Sequence, residues 1–125
     1  MLKIMVVEDN EPSRDALCRR LERRGYQVIP AVDGEQAVEM ARVQLPDLIL
    51  MDLGLPGIDG WEATRRLKGD EATRHIPLIV LSAHAMSNDR DMALAAGGDD
   101  FDSKPVRFDQ LMEKIQALLS RGAPS

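Results

Sequence analysis

The sequence predicts an open, doubly wound α/β sheet of five parallel strands with five flanking helices, and three observations lead there. Apolar runs of strand length recur at Lys3–Val7, Tyr26–Pro30, Leu48–Met51 and Leu78–Leu81, with a weaker fifth ending near Phe101. Their near-continuous Val, Ile, Leu and Met content suits strands covered by helices on both faces. The segments between them are each long enough for a helix, and such alternation implies parallel strands joined by right-handed crossovers. The expected strand order is 2-1-3-4-5, which places the functional crevice beyond the carboxyl ends of the strands, where the order reverses beside strand one.

The helices follow from caps, stops and spacing. The first should start near Asn10, a good cap, with Pro12 in its first turn, and end by Gly25; Leu17 and Leu21 give it a buried stripe. The second should start at Asp33, with Gln36 reciprocating as in a capping box, and run through Ala37, Val38 and Ala41 towards Pro46. A third follows Asp59-Gly60 and turns Ala63 and Leu67 inward. The fourth, roughly Ser87 to Ala96, is Ala-rich, weakly periodic and stopped by Gly97-Gly98. In the fifth, Phe108, Leu111, Met112, Ile115, Leu118 and Leu119 recur at spacings of three and four.

Bulk properties limit the partners. At 125 residues, 44% apolar and 30% charged, the chain is expected to form one domain over residues 1–120 with a frayed end at 121–125. A net charge of −5 argues against direct nucleic-acid binding, which relies on Lys and Arg displacing counterions. The N-terminus reaches Glu8 and Asp9 too early for a signal-peptide core, and no apolar run approaches a membrane span. With Cys18 the single cysteine, a cytoplasmic setting is expected, without membrane contact.

Just past the strands stand Glu8 and Asp9, then Asp52, Ser82 and Lys104. Three carboxylates crowded at one sheet edge raise one another's pKa and call for a cation to stay ionised. Mg²⁺ fits, because it takes oxygen ligands and commonly combines one or two carboxylates with phosphate oxygens. Asp9 and Asp52 could bind directly and Glu8 through water. A carboxylate can also attack phosphorus, and Lys104 and Ser82 have the chemistry to share the charge of an acyl phosphate.

The strings VVEDN at 6–10, LILMDLGLPGIDG at 48–60, LSAHA at 81–85 and FDSKP at 101–105 resemble the receiver domains of two-component signalling, over nearly the whole chain. The resemblance carries the 2-1-3-4-5 order that receivers share with flavodoxin. It implies Asp52 as phosphoacceptor, Glu8 and Asp9 as the acidic Mg²⁺ pair, and the Gly54 backbone carbonyl as a further ligand. It also implies that Ser82 and Lys104 contact the phosphoryl group, that the Lys104–Pro105 peptide is cis, and that Phe101 moves with a conformational switch. The phosphoryl group would come from a sensor histidine kinase or histidine phosphotransfer protein, and the signal would pass to an unidentified protein target. Such a chain is a phosphoacceptor signalling domain that promotes its own phosphorylation and dephosphorylation, not an enzyme with a separate substrate. Gly54 and Ser82 depart from the commonest pattern, where a larger residue and threonine are frequent.

Other readings are weaker. A flavodoxin-like nucleotide or flavin binder should offer small residues and backbone N–H groups after strand one, where this chain has Glu8-Asp9. A phosphatase with an aspartyl nucleophile would need a second acid, which Asp52-Leu53-Gly54 does not supply. His75, His84 and Cys18 lack the spacing of zinc ligands. The arginines at 19, 20, 23 and 24 are expected on a solvated helix face, and Trp61 in simple packing.

Overall fold

The computed structural model describes residues 1–53, 60–82 and 87–121. Among them strands and helices alternate: β1 (Lys3–Val7), α1 (Glu11–Arg23), β2 (Gln27–Ala31), α2 (Gly34–Gln44), β3 (Leu48–Asp52), α3 (Gly60–Gly69), β4 (Leu78–Ser82), α4 (Ser87–Ala95), β5 (Asp100–Ser103) and α5 (Phe108–Arg121). Every strand pairing is parallel, and the order is β2-β1-β3-β4-β5.

The period-two pleat divides each apolar run between two cores. Met5, Val7, Ile49, Met51, Leu78 and Val80 face one layer, closed by Ala37 and Ala41 of α2, Ala63 and Leu67 of α3, and Ala93 of α4. Ile4, Val6, Leu48, Leu50, Ile79 and Leu81 face the other, closed by Leu21 of α1 and by Leu111, Met112, Ile115 and Leu118 of α5. Alanines let α2, α3 and α4 lie close to large strand side chains, whereas α1 and α5 bring large residues of their own. That is why α4 shows little apolar periodicity in sequence yet packs on the sheet.

Local signals act largely as expected. Asn10 caps α1 by accepting from the Ser13 N–H at 3.0 Å, and Asp33 caps α2 by accepting from the Gln36 N–H at 2.7 Å. The Gln36 side chain reaches one residue further back than a capping box requires, accepting from the Val32 N–H at 2.7 Å. Strand β2 runs one residue later than expected, because the Tyr26 N–H closes the turn onto the Leu21 carbonyl and pairing begins with Gln27 on Leu2. Gly25 stands in that turn at φ 91°, a conformation glycine adopts without steric cost. Helix α2 stops at Gln44, before a Leu45–Pro46 pair that disfavours continuing the helix, and Leu45 caps it in a left-handed conformation at φ 47°, its N–H donating to the Ala41 carbonyl at 3.0 Å. The fifth strand extends past Phe101 to Ser103, and α5 includes Arg121 of the expected tail.

Candidate phosphoacceptor site

Four strand ends build the site. Glu8 and Asp9 follow β1, Asp52 ends β3, Ser82 ends β4, and Lys104 follows β5. Pairing fixes their levels: Asp52 is opposite Leu81, and Ser82 is opposite Ser103. The Lys104 N–H donates to the Ser82 carbonyl at 2.7 Å, and the Leu53 N–H to the Leu81 carbonyl at 3.1 Å. The Lys104–Pro105 peptide is cis.

The carboxylates of Glu8, Asp9 and Asp52 each bring an oxygen within 4.8 Å of the others. Glu8 and Asp52 are buried, and Asp9 is exposed. The Lys104 Nζ lies 2.7 Å from Glu8 Oε1 and 3.1 Å from Asp52 Oδ1. Burial first, and then the Asp52 carboxylate beside it, push the Glu8 carboxyl up to about 7, against the opposing pull of Lys104. For Lys104, burial works to lower the pKa, but bonding to Glu8 and Asp52 outweighs it and the ammonium sits above its ordinary range. The cluster thus holds three acidic groups against one cation, an excess of negative charge and hard oxygen donors that suits Mg²⁺. Among the described residues it is the group fitted to a metal ion, and neither Cys18 nor His75 belongs to such a group.

Ser82 is buried at the end of β4, one residue beyond the register partner of Asp52. Phe101 stands opposite Val80 and packs, partly buried, on the alanine-lined layer. Trp61 packs on that layer too. Gly54, the expected carbonyl ligand, and His84 lie outside the described residues. A cavity of about 270 Å³ is lined by Asp52 and Lys104 together with Ser13, Leu17 and Arg20 of α1 and with Val106.

Some contributors are not found by looking past strand ends. Arg14 donates from Nη1 to the Glu8 carbonyl at 2.9 Å, holding the loop that bears both acids; an arginine four residues into a helix looks like any solvated one. Gly60 starts α3 directly against the strand that ends in Asp52, so that a Cβ there would lie 2.4 Å from the Asp52 carbonyl oxygen. The arginines at 19, 20, 23 and 24 are exposed, as expected, and the Arg20 and Arg24 guanidinium carbons also lie 5.6 and 5.4 Å from the centre of the Phe108 ring, a cation–π arrangement.

Residues 4–116 match the response regulator receiver domain model, and the chain belongs to that family. It is a receiver domain of two-component, phosphorelay signalling, a signalling domain by family. The chain is 40% identical over 116 residues to the polar-differentiation response regulator DivK of Brucella ovis, covering 93% of this chain and 94% of DivK. It is 38% identical over 122 residues to the phosphate regulon transcriptional regulatory protein PhoB of Escherichia coli, covering 98% of this chain and 53% of PhoB, so it spans about half of that relative's length. Among solved structures, the receiver domain of a sensor histidine kinase from Pseudomonas aeruginosa, with a magnesium ion coordinated in its active-site cleft, is 38% identical at a TM-score of 0.88, covering 95% of this chain and 98% of that one. No helix among the described residues is long and apolar enough to cross a membrane.

Proposed function

We propose that Asp52 accepts a phosphoryl group from a phosphohistidine of a sensor histidine kinase or a histidine phosphotransfer protein, in a reaction that depends on Mg²⁺. The observation that carries this reading is the Asp52 carboxylate itself, buried in one cluster with Glu8 and Asp9 and 3.1 Å from the Lys104 ammonium. Asp9 and Asp52 would hold the ion directly and Glu8 through water, with the Gly54 carbonyl as the further ligand that the family resemblance implies. When bound, Mg²⁺ supplies positive charge to phosphoryl oxygens.

The protein's own groups do the rest. Asp52 is a carboxylate nucleophile that needs no general base when ionised: a carboxylate oxygen forms the new bond to phosphorus, giving an acyl phosphate, and the P–N bond breaks with its electrons returning to the donor imidazole. Lys104, held at the strand end by its backbone bond to Ser82, places its ammonium where negative charge accumulates. The Ser82 hydroxyl contacts the phosphoryl group from the neighbouring strand, drawing its loop inward and making room for Phe101. Phosphorylation then shifts the population towards a form with a changed face at α4 and α5, by as much as it stabilises that form over the other. The same pocket promotes loss of the phosphoryl group to water. A cytoplasmic location and a protein target complete the reading.

The test is incubation with acetyl phosphate and Mg²⁺ followed by intact mass. One added phosphoryl group, blocked by EDTA and lost in Asp52→Asn, is the expected result. Labelling of the same stoichiometry in Asp52→Asn contradicts the assignment.

A further inference from the structure

Asp102 is a buried carboxylate that the phosphoacceptor site does not use. It sits within β5, 4% exposed, opposite Leu81 on the sheet face that packs on Leu111 and Ile115 of α5. A carboxylate in such a layer is unfavourable unless both oxygens are bonded. Only one is: Oδ1 accepts from the Ser103 N–H at 2.9 Å and from Gln110 Nε2 at 3.2 Å. Its other oxygen, Oδ2, is buried with no hydrogen-bond partner. The Lys114 ammonium lies 3.7 Å from Oδ1, beyond a good hydrogen bond, because it donates to the Phe101 carbonyl instead. Lys114 on α5 therefore has two acceptors on consecutive residues of β5, one engaged and the other left short of a partner.

We infer that Lys114 is a two-position relay between β5 and α5, bonded to the Phe101 carbonyl in the form described and to the Asp102 carboxylate when the Phe101 segment shifts. This rests on the reading of Phe101 as the residue that moves on phosphorylation. Loss of the Phe101 bond is offset by completing the bonding of a buried anion, so the two arrangements lie close enough for a ligand to choose between them. The arrangement gives α5 a physical link to the switch: a defined element with two states, biased from the site, rather than a line of residues that merely lie between. Lys114 and Asp102 are positioning residues and touch no reacting atom.

Beryllofluoride with Mg²⁺, a stable stand-in for the phosphoryl group, is added to the wild-type chain, Lys114→Met, Asp102→Asn and the double variant, and backbone amide NMR shifts are followed. Wild type should show ligand-dependent shifts near Asp52, at Val7 and Leu53, and along α5 around Lys114. In Lys114→Met and in Asp102→Asn the α5 shifts should fall at least twofold while those at Val7 and Leu53 persist. The double variant should lose no more than either single one, and Lys114→Arg should restore the α5 response. Lys114 is partly exposed, so Met there keeps the fold even if Asp102→Asn does not. Full α5 shifts in Lys114→Met, or losses that add in the double variant, overturn the relay alone. A wild-type chain with no response at Val7 or Leu53 overturns the phosphoacceptor reading with it.

Discussion

At Glu8, burial and the adjoining Asp52 carboxylate raise the carboxyl from 4.5 to about 7, so in the absence of metal the folded protein holds this proton more tightly than the unfolded chain does. A group raised on folding stabilises fully below its unfolded value, and that contribution is lost as pH climbs through its folded value. The metal-free protein should therefore lose roughly 2–3 kcal/mol of stability between pH 5 and pH 8, on the order of 10 °C in Tm. Glu8→Gln, which has no proton to lose there, should flatten the decline. Saturating Mg²⁺ should raise Tm more at pH 8 than at pH 5, since an ion competes with the proton for the same carboxylates. Thermal melts of both proteins across that range, with EDTA or Mg²⁺, check the sign. A wild-type Tm that rises with pH under EDTA while Glu8→Gln falls would reverse it.

Among the elements, α3 is placed by what it lacks. At Gly60 an added Cβ would meet the Asp52 carbonyl oxygen at 2.4 Å and the Leu53 Cα at 2.8 Å, both backbone atoms, whereas at Gly69 it would meet nothing within 4 Å. Gly60→Ala should cost about 2–3 kcal/mol and slow phosphorylation by shifting the end of β3. Gly69→Ala should be neutral or stabilising by up to about 1 kcal/mol, and urea titrations of the two distinguish them. Leu45→Gly, at the left-handed end of α2, should stabilise by roughly 1 kcal/mol. Elements whose signals are local were legible in the sequence: the four apolar strands, the Asn10 and Asp33 caps, and the α5 stripe. β5 was legible only to Phe101, because Asp102 and Ser103 look like a loop until the α5 partners of Asp102 are known. The left-handed Leu45 was hidden as well, since leucine gives no sign of it and Pro46 marks only where the helix must end. At the candidate site, the acids, Ser82 and Lys104 could be found by looking past strand ends, while Arg14 and Gly60 act through contacts with Glu8 and Asp52 that only the fold creates.

For the whole molecule, the doubly wound topology is what makes one pocket from residues as distant in sequence as Glu8 and Lys104, which meet at 2.7 Å. Two cores of different texture flank the sheet, and the site sits at the end common to both; on the proposed reading a change at Asp52 would reach the alanine-lined layer through Phe101 and the α5 layer through Asp102. Truncating the α5 stripe, as in Leu111→Ala, should cost about 2–5 kcal/mol and, if the fold survives, leave phosphorylation by acetyl phosphate possible. All of this depends on where the phosphoryl group goes. The direct measurement is to phosphorylate the protein with acetyl phosphate and Mg²⁺, reduce it with borohydride, which turns an aspartyl phosphate into homoserine, and map the modified residue by tandem mass spectrometry. Homoserine at position 52 alone, dependent on Mg²⁺, is the expected result. Conversion at Asp9 or another carboxylate, with Asp52 intact, would contradict it.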